Sequence, residues 1–456
     1  MLPRLLLPAL LIASPLLSQA LTPDRLAQLA ATCPQDPPFR ALRNALSQND
    51  GRKLAQDWAR TTALDSHFSK RIPDEPVADQ KASGRCWMFS GLNLFRRGAA
   101  ARLGCENLEF SQNYLFFYDK LEKANLFLDS VERCKSLPAT DRRVEFLLTT
   151  PVQEGGNWQG FIDLVKKYGV VPKEVMPETF SSSNSSAMDQ VLKMRLQVAG
   201  VRIRAAQDPA GIATLKQRAL EDVYRILAMN LGVPPARFSW RFEAKDKHLT
   251  PFKTWTPKEF CKDALGADLD GRVALYSIPT LPFQTKYEID LDRALLDQAN
   301  MTFVNCPLEL LKDVAQKCLL ADQPVWFGAD VSQEMASDEG LLVPGIRDFD
   351  ALYGMDLSLD RKQLFETRRS VPGHNMVFTG LDIQDGRPVK WLVENSWGDK
   401  HGQKGYYTMA DGWFDRYVQV VVVPRARVPK EVLAVFETQA QVLPPWDAMM
   451  AAVTVD

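Results

Sequence analysis

The order of helical and strand-like segments constrains the fold of this chain more than any other feature of its sequence. An apolar stretch without proline begins near Cys86, and apolar residues recur at helical spacing through residues 110–150. Later in the chain, short β-branched or aromatic segments are separated by Gly and Asp turns. These segments span residues 325–329, 376–381, 391–394, 406–409 and 417–423. Helices and strands that are segregated along a chain predict an α+β fold.

The region between these two parts has a different sequence pattern. A polar Ser/Asn run at 181–186 is followed, up to about residue 302, by charged helical segments joined by proline-rich turns. We interpret residues 188–302 as a mostly helical insert between the helical half and the β half.

The N-terminus has the three-part pattern of a secretory signal peptide. A short basic start precedes an apolar stretch at 5–17, and small residues follow at Ser18 and Ala20. The apolar stretch is shorter than the ~20 residues that a spanning helix needs. We therefore expect residues 1–20 to be cleaved and the mature protein to be exported, to a periplasm or out of the cell. No stable membrane anchor is expected.

Composition argues against several classes of partner and cofactor. The chain of 456 residues has 55 Lys and Arg against 56 Asp and Glu, a net charge of −1. This balance gives no overall attraction to nucleic acid, so we do not expect nucleic acid as a partner. Seven cysteines without a CxxC pair do not make a disulfide scaffold. The four histidines are scattered, and we expect neither a metal nor a cofactor.

One cysteine and one histidine stand in contexts that favour covalent catalysis. The partial positive charge of a helix N-terminus stabilises a thiolate, and Cys86 stands where a helix is predicted to begin. A neighbouring imidazolium would lower the thiol pKa further. Gln80 and the Cys86 backbone N–H can both donate to one oxyanion. His374 precedes an apolar strand and is the best candidate for the base, and Asn395 can orient its ring while Trp397 covers the pair from water.

These residues resemble the catalytic signature of the papain-like cysteine peptidases, and most closely that of the bleomycin hydrolase and aminopeptidase C family. The matching motifs are Gln80 with Gly84-Arg85-Cys86-Trp87, Gly373-His374, and Asn395-Ser396-Trp397-Gly398. Further segments similar to this family are 110–117, 155–158, 324–328, 428–435 and 443–447. The resemblance extends from about residue 40 to the end of the chain and implies a papain-like fold, with a helical half and a β half around a cleft.

The resemblance also implies an activity and a set of site residues. The expected protein is a thiol aminopeptidase that acts on peptides through an acyl-enzyme and assembles as a homo-hexamer. The implied catalytic residues are Cys86, His374, Asn395 and Gln80. The implied substrate-binding residues are Gly155, Gly156 and Asn157 for the substrate backbone, and Asp456, whose terminal carboxylate pairs with the free α-amine.

The C-terminal tail departs from the family pattern. The family continues Trp-Asp-Pro-Met-Gly-Ala and ends soon after, whereas here Trp446-Asp447 is followed by Ala448-Met449-Met450 and a slightly longer end. We hypothesise that the last residues are removed to set the exopeptidase register. Two alternatives remain open, namely a papain-like endopeptidase without tail restriction and a non-catalytic nucleic-acid-binding or scaffold protein.

The predicted organisation combines these inferences. It comprises a signal peptide (1–20), an N-terminal arm (21–75), a helical half with the nucleophile (76–187), a helical insert for assembly (188–302), a β half with His and Asn (303–440) and a C-terminal tail that enters the cleft (441–456).

Overall fold

The computed structural model describes residues 21–266 and 268–447. The chain divides into two compact units, of which the first ends at Ala55 and the second begins at Gln56. The predicted N-terminal arm (21–75) therefore extends beyond the first unit. Its last part belongs to the second unit, where Lys70–Arg71 forms a paired strand. The predicted signal peptide lies outside the described residues.

The helices and strands are numbered in chain order. The helices are α1 (Pro23–Ala31), α2 (Pro37–Leu46), α3 (Gly51–Leu54), α4 (Trp58–Thr61), α5 (Cys86–Leu103), α6 (Gln112–Arg133), α7 (Arg142–Thr149), α8 (Trp158–Tyr168), α9 (Phe180–Ser183), α10 (Ser186–Ala205), α11 (Pro209–Leu231), α12 (Pro257–Leu265), α13 (Leu308–Leu320), α14 (Phe349–Tyr353), α15 (Arg361–Glu366), α16 (Asp411–Tyr417) and α17 (Lys430–Val435). The strands are β1 (Lys70–Arg71), β2 (Phe238–Trp240), β3 (Lys253–Trp255), β4 (Arg272–Tyr276), β5 (Thr285–Ile289), β6 (Thr302–Asn305), β7 (Val325–Ala329), β8 (Met335–Ala336), β9 (Leu341–Leu342), β10 (His374–Gln384), β11 (Arg387–Glu394), β12 (Tyr406–Ala410), β13 (Val418–Pro424) and β14 (Gln441–Leu443).

The first unit consists of short helices with side-chain caps. Thr22, Asp36 and Asp50 each accept a hydrogen bond from a backbone N–H in the first turn of α1, α2 and α3 respectively. Such caps satisfy backbone donors that have no partner within the helix.

A large mixed sheet organises the second unit. Over the described residues its strands follow the order β14-β5-β6-β4-β13-β7-β10-β11-β12-β9-β8, and β1 pairs with β10. The strands β7, β10 and β11 are antiparallel neighbours in its middle. The sheet therefore brings the start of β10 and the end of β11 close together.

Two hydrophobic cores cover the two faces of this sheet. The helix-side core contains buried side chains of α5, α6 and α8, among them Trp87, Phe116 and Phe161. The outer core packs α13 and α16 against the sheet and contains Phe327 and Trp391. Helix α5 is thus held between the sheet and the other helices of the helical half.

Strand β13 shows why the sequences of the central strands are almost continuously apolar. Its side chains alternate between the two cores, so that Val420 and Val422 belong to the helix-side core while Val421 and Val423 belong to the outer core. A strand that is covered on both faces is apolar at most positions, and in β13 the buried Gln419 is the polar exception.

The segment 188–302, predicted as a mostly helical insert, contains the helices α10, α11 and α12, but it also contains the strands β2 to β5 and the start of β6. Strand β4 lies between β13 and β6 in the large sheet. Short segments of this kind owe their strand conformation to partners distant in the chain, which local periodicity does not reveal.

The polar run at 181–186 is also ordered rather than a simple linker. Thr179 and Ser182 form a capping box on α9, and Ser182 is fully buried. No helix among the described residues is long and apolar enough to cross a membrane.

Candidate active site

Cys86 is the first residue of α5, as the sequence predicts. The preceding residue, Arg85, has non-helical backbone angles (φ −95°, ψ 14°), and no side chain caps the helix. The positive end of the helix dipole therefore lies at the sulfur without competition from a capping carboxylate. The Cys86 side chain is buried, with the residue 8% exposed.

His374 and Asn395 form a buried hydrogen-bonded pair. His374 opens β10 and Asn395 follows β11, and His374 Nε2 lies 2.8 Å from Asn395 Oδ1. The backbone N–H of Ser396 also donates to Asn395 Oδ1 at 2.7 Å, which identifies that atom as the amide oxygen. His374 Nε2 must therefore carry the hydrogen, and Nδ1 is the basic nitrogen. The ring of Trp397 lies over the imidazole, with 4.6 Å between the ring centroids.

Burial favours the neutral forms of both the cysteine and the histidine. It raises the pKa of the Cys86 thiol, against hydrogen bonds from Asn375. It lowers the pKa of His374 to about 4, although the bond to Asn395 acts in the opposite direction. Burial therefore acts against the imidazolium that we expected to lower the thiol pKa, because a buried site without a compensating charge disfavours both ions.

Gln80 is buried beside the same loop. Its Oε1 accepts a hydrogen bond from the Ser396 hydroxyl at 2.6 Å, and its Nε2 donates to the Ser83 carbonyl at 2.7 Å. An amide nitrogen has two hydrogens, so the carbonyl of Ser83 uses only one of them. Ser396 follows Asn395 directly, and the Gln80 amide is thus held by the same turn that positions His374.

Two charged contacts hold the loop that leads into Cys86. Arg85 is 1% exposed and makes two hydrogen bonds to the Glu178 carboxylate, at 2.8 Å and 3.1 Å. The Gly84 backbone N–H donates to the Glu154 carboxylate. Although burial raises the pKa of Glu154, Lys120 and further hydrogen bonds lower it to about 2. A bidentate arginine–carboxylate pair is both strong and directional, so the loop has little freedom.

The Gly155–Asn157 segment packs directly on the first turn of α5. The indole nitrogen of Trp87 donates to the Glu154 carbonyl at 2.9 Å, and Lys123 donates to the Gly155 carbonyl at 2.7 Å. A Cβ atom at Gly156 would lie 2.5 Å from the Trp87 ring. This position therefore requires glycine because of close approach rather than backbone angle.

Asn157 has a structural role in this segment. Its Oδ1 caps α8 by accepting from the Gly160 N–H, and its Nδ2 donates to Asp292 at 3.1 Å. Burial raises the pKa of Asp292 to about 6. The side chain of Asn157 is therefore occupied within the protein, and any contact with a substrate would come from the backbone of the segment.

A buried ion pair joins the middle of α5 to the end of β11. Asn93 Nδ2 and an Arg96 guanidinium nitrogen both donate to Glu394 Oε1, at 2.9 Å and 2.8 Å. Burial raises the pKa of Glu394 to about 7, against the effect of Arg96. Because Glu394 precedes Asn395, this contact sets the position of Asn395 relative to the helix that carries Cys86.

The described part of the tail runs toward the segment that precedes His374. Strand β14 pairs with β5, and Arg142 lies over the Trp446 ring at 4.6 Å. Asp447, Ser370 and Pro372 help to line a cavity of about 60 Å³. Asp456, the predicted partner of the substrate amine, lies outside the described residues.

The structure thus brings most of the predicted site residues together. Asn375, the residue after His374, donates its side-chain amide to Cys86 Sγ at 3.6 Å, so the start of β10 lies at the cysteine. The sequence analysis did not identify Asn375 or Glu154 as parts of the site. The only signal for Asn375 was a polar residue inside an apolar strand.

The other cysteines do not form disulfides. All seven lie within the described residues and are free, and Cys33 is the exposed one. In residues 21–266 and 268–447, no group of three or more His, Cys, Asp or Glu side chains is placed to hold a metal ion.

Comparison with known proteins decides the family. A model of the peptidase C1-like family matches residues 20–450. The chain belongs to this family. The predicted family and the papain-like α+β fold are thereby confirmed for this peptidase.

Individual relatives cover nearly the whole peptidase. It is 36% identical to aminopeptidase C of Streptococcus thermophilus over 94% of this chain and 98% of the relative. It is 32% identical to human bleomycin hydrolase over 95% of this chain and 99% of the relative. The crystal structure of PepW from Lactobacillus rhamnosis HN001 superposes with a TM-score of 0.91 at 36% identity, and covers 95% of this chain and 99% of that chain. These relatives support a cysteine-type aminopeptidase.

Proposed function

We propose that this peptidase removes N-terminal residues from peptides through an acyl-enzyme on Cys86, with His374 as the base and Asn395 as its orienting group. The observation that carries the proposal is the buried hydrogen bond of 2.8 Å between His374 Nε2 and Asn395 Oδ1. This bond leaves Nδ1 of the ring as the basic nitrogen, beside a cysteine at a helix N-terminus.

The proposed reaction begins from the neutral pair. Cys86 Sγ attacks the carbonyl carbon of the first substrate residue while its proton passes to His374 Nδ1. The carbonyl π electrons move to oxygen, and the backbone N–H of Cys86 and the second amide hydrogen of Gln80 donate to this oxyanion. His374 then protonates the departing amine as the C–N bond breaks. Water, activated by His374, releases the acyl group and restores the thiol.

We further propose that the C-terminal tail limits the enzyme to exopeptidase action. Its terminal carboxylate would pair with the free α-ammonium of the substrate. Support comes from the path of β14 and from Asp447, which contributes to the same small cavity as Pro372, two residues before His374. Trimming of the last residues remains part of this proposal, and the intact mass of the active protein tests it. A mass that includes Asp456 in a fully active preparation would exclude trimming.

Paired fluorogenic aminoacyl substrates, with free and blocked α-amines, test the activity under reducing conditions. We expect the wild-type protein to cleave only the free-amine substrate and Cys86→Ala to cleave neither. Deletion of residues 448–456 should permit cleavage of the blocked substrate. Cleavage of the blocked substrate by the intact protein would instead favour an endopeptidase without tail restriction. Retention of activity in Cys86→Ala would contradict the mechanism.

We also propose a homo-hexameric assembly, as the family resemblance implies. Light scattering on the eluting protein should give six times the mass of the chain. A monomeric mass with full activity would contradict the assembly.

Export through a cleaved signal peptide is a separate proposal. It rests on the basic start and apolar stretch of residues 1–17. N-terminal sequencing of the protein from its native source should begin close to Leu21. An intact Met1 would contradict it.

A further inference from the structure

The polar residue after His374 contacts the nucleophile directly. Asn375 Nδ2 lies 3.6 Å from Cys86 Sγ, within hydrogen-bond range for a sulfur acceptor. We propose that Asn375 is a further catalytic residue, whose amide N–H stabilises the negative charge that develops on Cys86 Sγ. This inference rests on the proposed role of Cys86 as the nucleophile.

The alternation of β10 places Asn375 on the correct face of the sheet. Val377, two residues later on the same face, belongs to the helix-side core together with Trp87. Met376, between them, belongs to the outer core. Asn375 therefore extends the helix-side face toward the start of the strand, where Cys86 begins α5.

A glycine on the neighbouring strand makes room for the amide. Asn375 pairs with Gly328 of β7. A Cβ atom at Gly328 would lie 2.7 Å from Asn375 Oδ1 and 2.7 Å from Val420 Cγ1. The absent side chain thus leaves room for the amide, with its oxygen against Gly328 and its nitrogen toward the sulfur. A thiolate only accepts hydrogen bonds, so the donor nitrogen is the atom that must face it.

The charged and titratable groups on the elements around Cys86 have other partners. Arg85 pairs with Glu178, and Glu154 accepts from Gly84. Lys123 pairs with Asp119, and the Asp330 carboxylate accepts from Ser332. Asp292 accepts from Asn157, and His374 is buried against Asn395 and Trp397. A neutral amide donor at the sulfur therefore supplements the helix N-terminus without adding a charge that burial would penalise.

The same donor acts at two steps of the reaction. On attack, the Sγ–H proton passes to His374 Nδ1, and the Asn375 N–H compensates the negative charge on sulfur until the C–S bond forms. The thioester sulfur is a weaker acceptor, so the acyl-enzyme gains less from this bond. When water has added to the thioester, the C–S bond breaks, the sulfur takes up the bond electrons, and the amide again stabilises it as a leaving group.

The pH dependence of Cys86 alkylation by iodoacetamide tests this inference independently of peptide binding. The full-length protein would be alkylated over a pH series, and the Cys86 peptide quantified by mass spectrometry, because Cys33 is exposed and also reacts. In Asn375→Ala we expect the apparent pKa of Cys86 to rise by about one unit, since a hydrogen bond to the thiolate is lost. Asn375→Asp has the same size but adds a like charge, and should raise the pKa further.

Gln384→Ala is the matched control, because it removes an exposed amide from the far end of the same strand. It should leave the Cys86 pKa unchanged. An unchanged Cys86 pKa in folded Asn375→Ala or Asn375→Asp would overturn the inference. Failure of the proposed function has a different signature, which is aminopeptidase activity retained in Cys86→Ala.

Discussion

At the scale of single residues, the site is built from amides rather than from charges. Asn395 orients His374, and the Gln80 amide is held by Ser396 and Ser83. A buried site that is neutral at rest avoids the cost of burying an isolated ion. In the proposed mechanism, the proton therefore moves from cysteine to histidine as the substrate is attacked.

The lowered pKa of His374 predicts the acid limit of activity. The base must be neutral, so kcat/KM should fall as the pH drops through the folded-state pKa, which burial lowers to about 4. We expect full activity to persist well below the ordinary histidine pKa of about 6.5. The measurement is kcat/KM for a free-amine substrate across this range, with the exposed His67→Gln as the control that should not change the profile. An acid limb close to the ordinary histidine value would contradict the prediction.

At the scale of elements, α5 is attached to its surroundings along much of its length. Arg85 holds its start to Glu178, and Arg96 holds its middle to Glu394 at the end of β11. Trp87 packs against the Gly155–Asn157 segment in between. Helix, strand and loop therefore move as one body, which keeps Cys86 and His374 in register.

Alanine at two glycines separates close packing from helix propensity. In Gly156→Ala, the new methyl group would lie 2.5 Å from the Trp87 ring and must displace the segment. Because small displacements in an active site are costly, we expect kcat/KM to fall by roughly 100-fold. Gly98→Ala, in α5 with no atom within 4 Å of the new Cβ, should instead stabilise the protein by ~0.5–1 kcal/mol. Measurements of kcat/KM and of thermal unfolding on Gly156→Ala and Gly98→Ala check these two expectations. Normal activity in Gly156→Ala would contradict the packing argument.

At the scale of the whole molecule, a buried network joins the inserted helices to the site. Lys120 of α6, which is fully buried, lies 2.8 Å from Asp189 of α10 and 3.8 Å from Glu154. Glu154 in turn binds Gly84, two residues before Cys86. The insert is therefore connected to the nucleophile loop by two carboxylates around one ammonium group.

This network predicts a dependence of stability on pH. Burial and the neighbouring Glu154 raise the pKa of Asp189 to about 7, against Lys120. A carboxyl group with a raised folded-state pKa binds its proton more tightly in the folded protein, so its contribution to stability is lost as the pH rises from the ordinary Asp value of about 4 through the folded-state pKa of about 7. Asparagine mimics the protonated form. In Asp189→Asn, the fall in Tm between about pH 6 and about pH 8 should shrink by about 2 °C.

The matched control for this prediction is Asp222→Asn. Asp222 pairs with Arg195 between α10 and α11, and that pairing lowers its pKa. It is therefore ionised throughout this range and its substitution should leave the pH dependence unchanged. The raised pKa of Glu394 also lowers stability as the pH rises. The pH dependence of Tm in Asp189→Asn should therefore decrease rather than disappear. An unaltered Tm profile in Asp189→Asn would contradict the assignment.

The sequence by itself determined the elements that local patterns encode. Val325–Ala329 is a strand with the predicted bounds, because it is a short apolar run between clear breaks. The start of α5 at Cys86 followed from the polar loop and the apolar stretch that succeeds it. The order of motifs along the chain was sufficient to identify the family.

Only the tertiary structure decided the features that depend on contacts between distant parts of the chain. Strand β4 joins the large sheet by pairing with β13, and no local signal in a segment predicted to be helical marks it. The lowered pKa of His374 follows from its burial, and the room for the Asn375 amide beside Cys86 follows from the missing side chain at Gly328. Burial and long-range contact set pKa values and side-chain orientation, and a residue's sequence neighbours do not specify either.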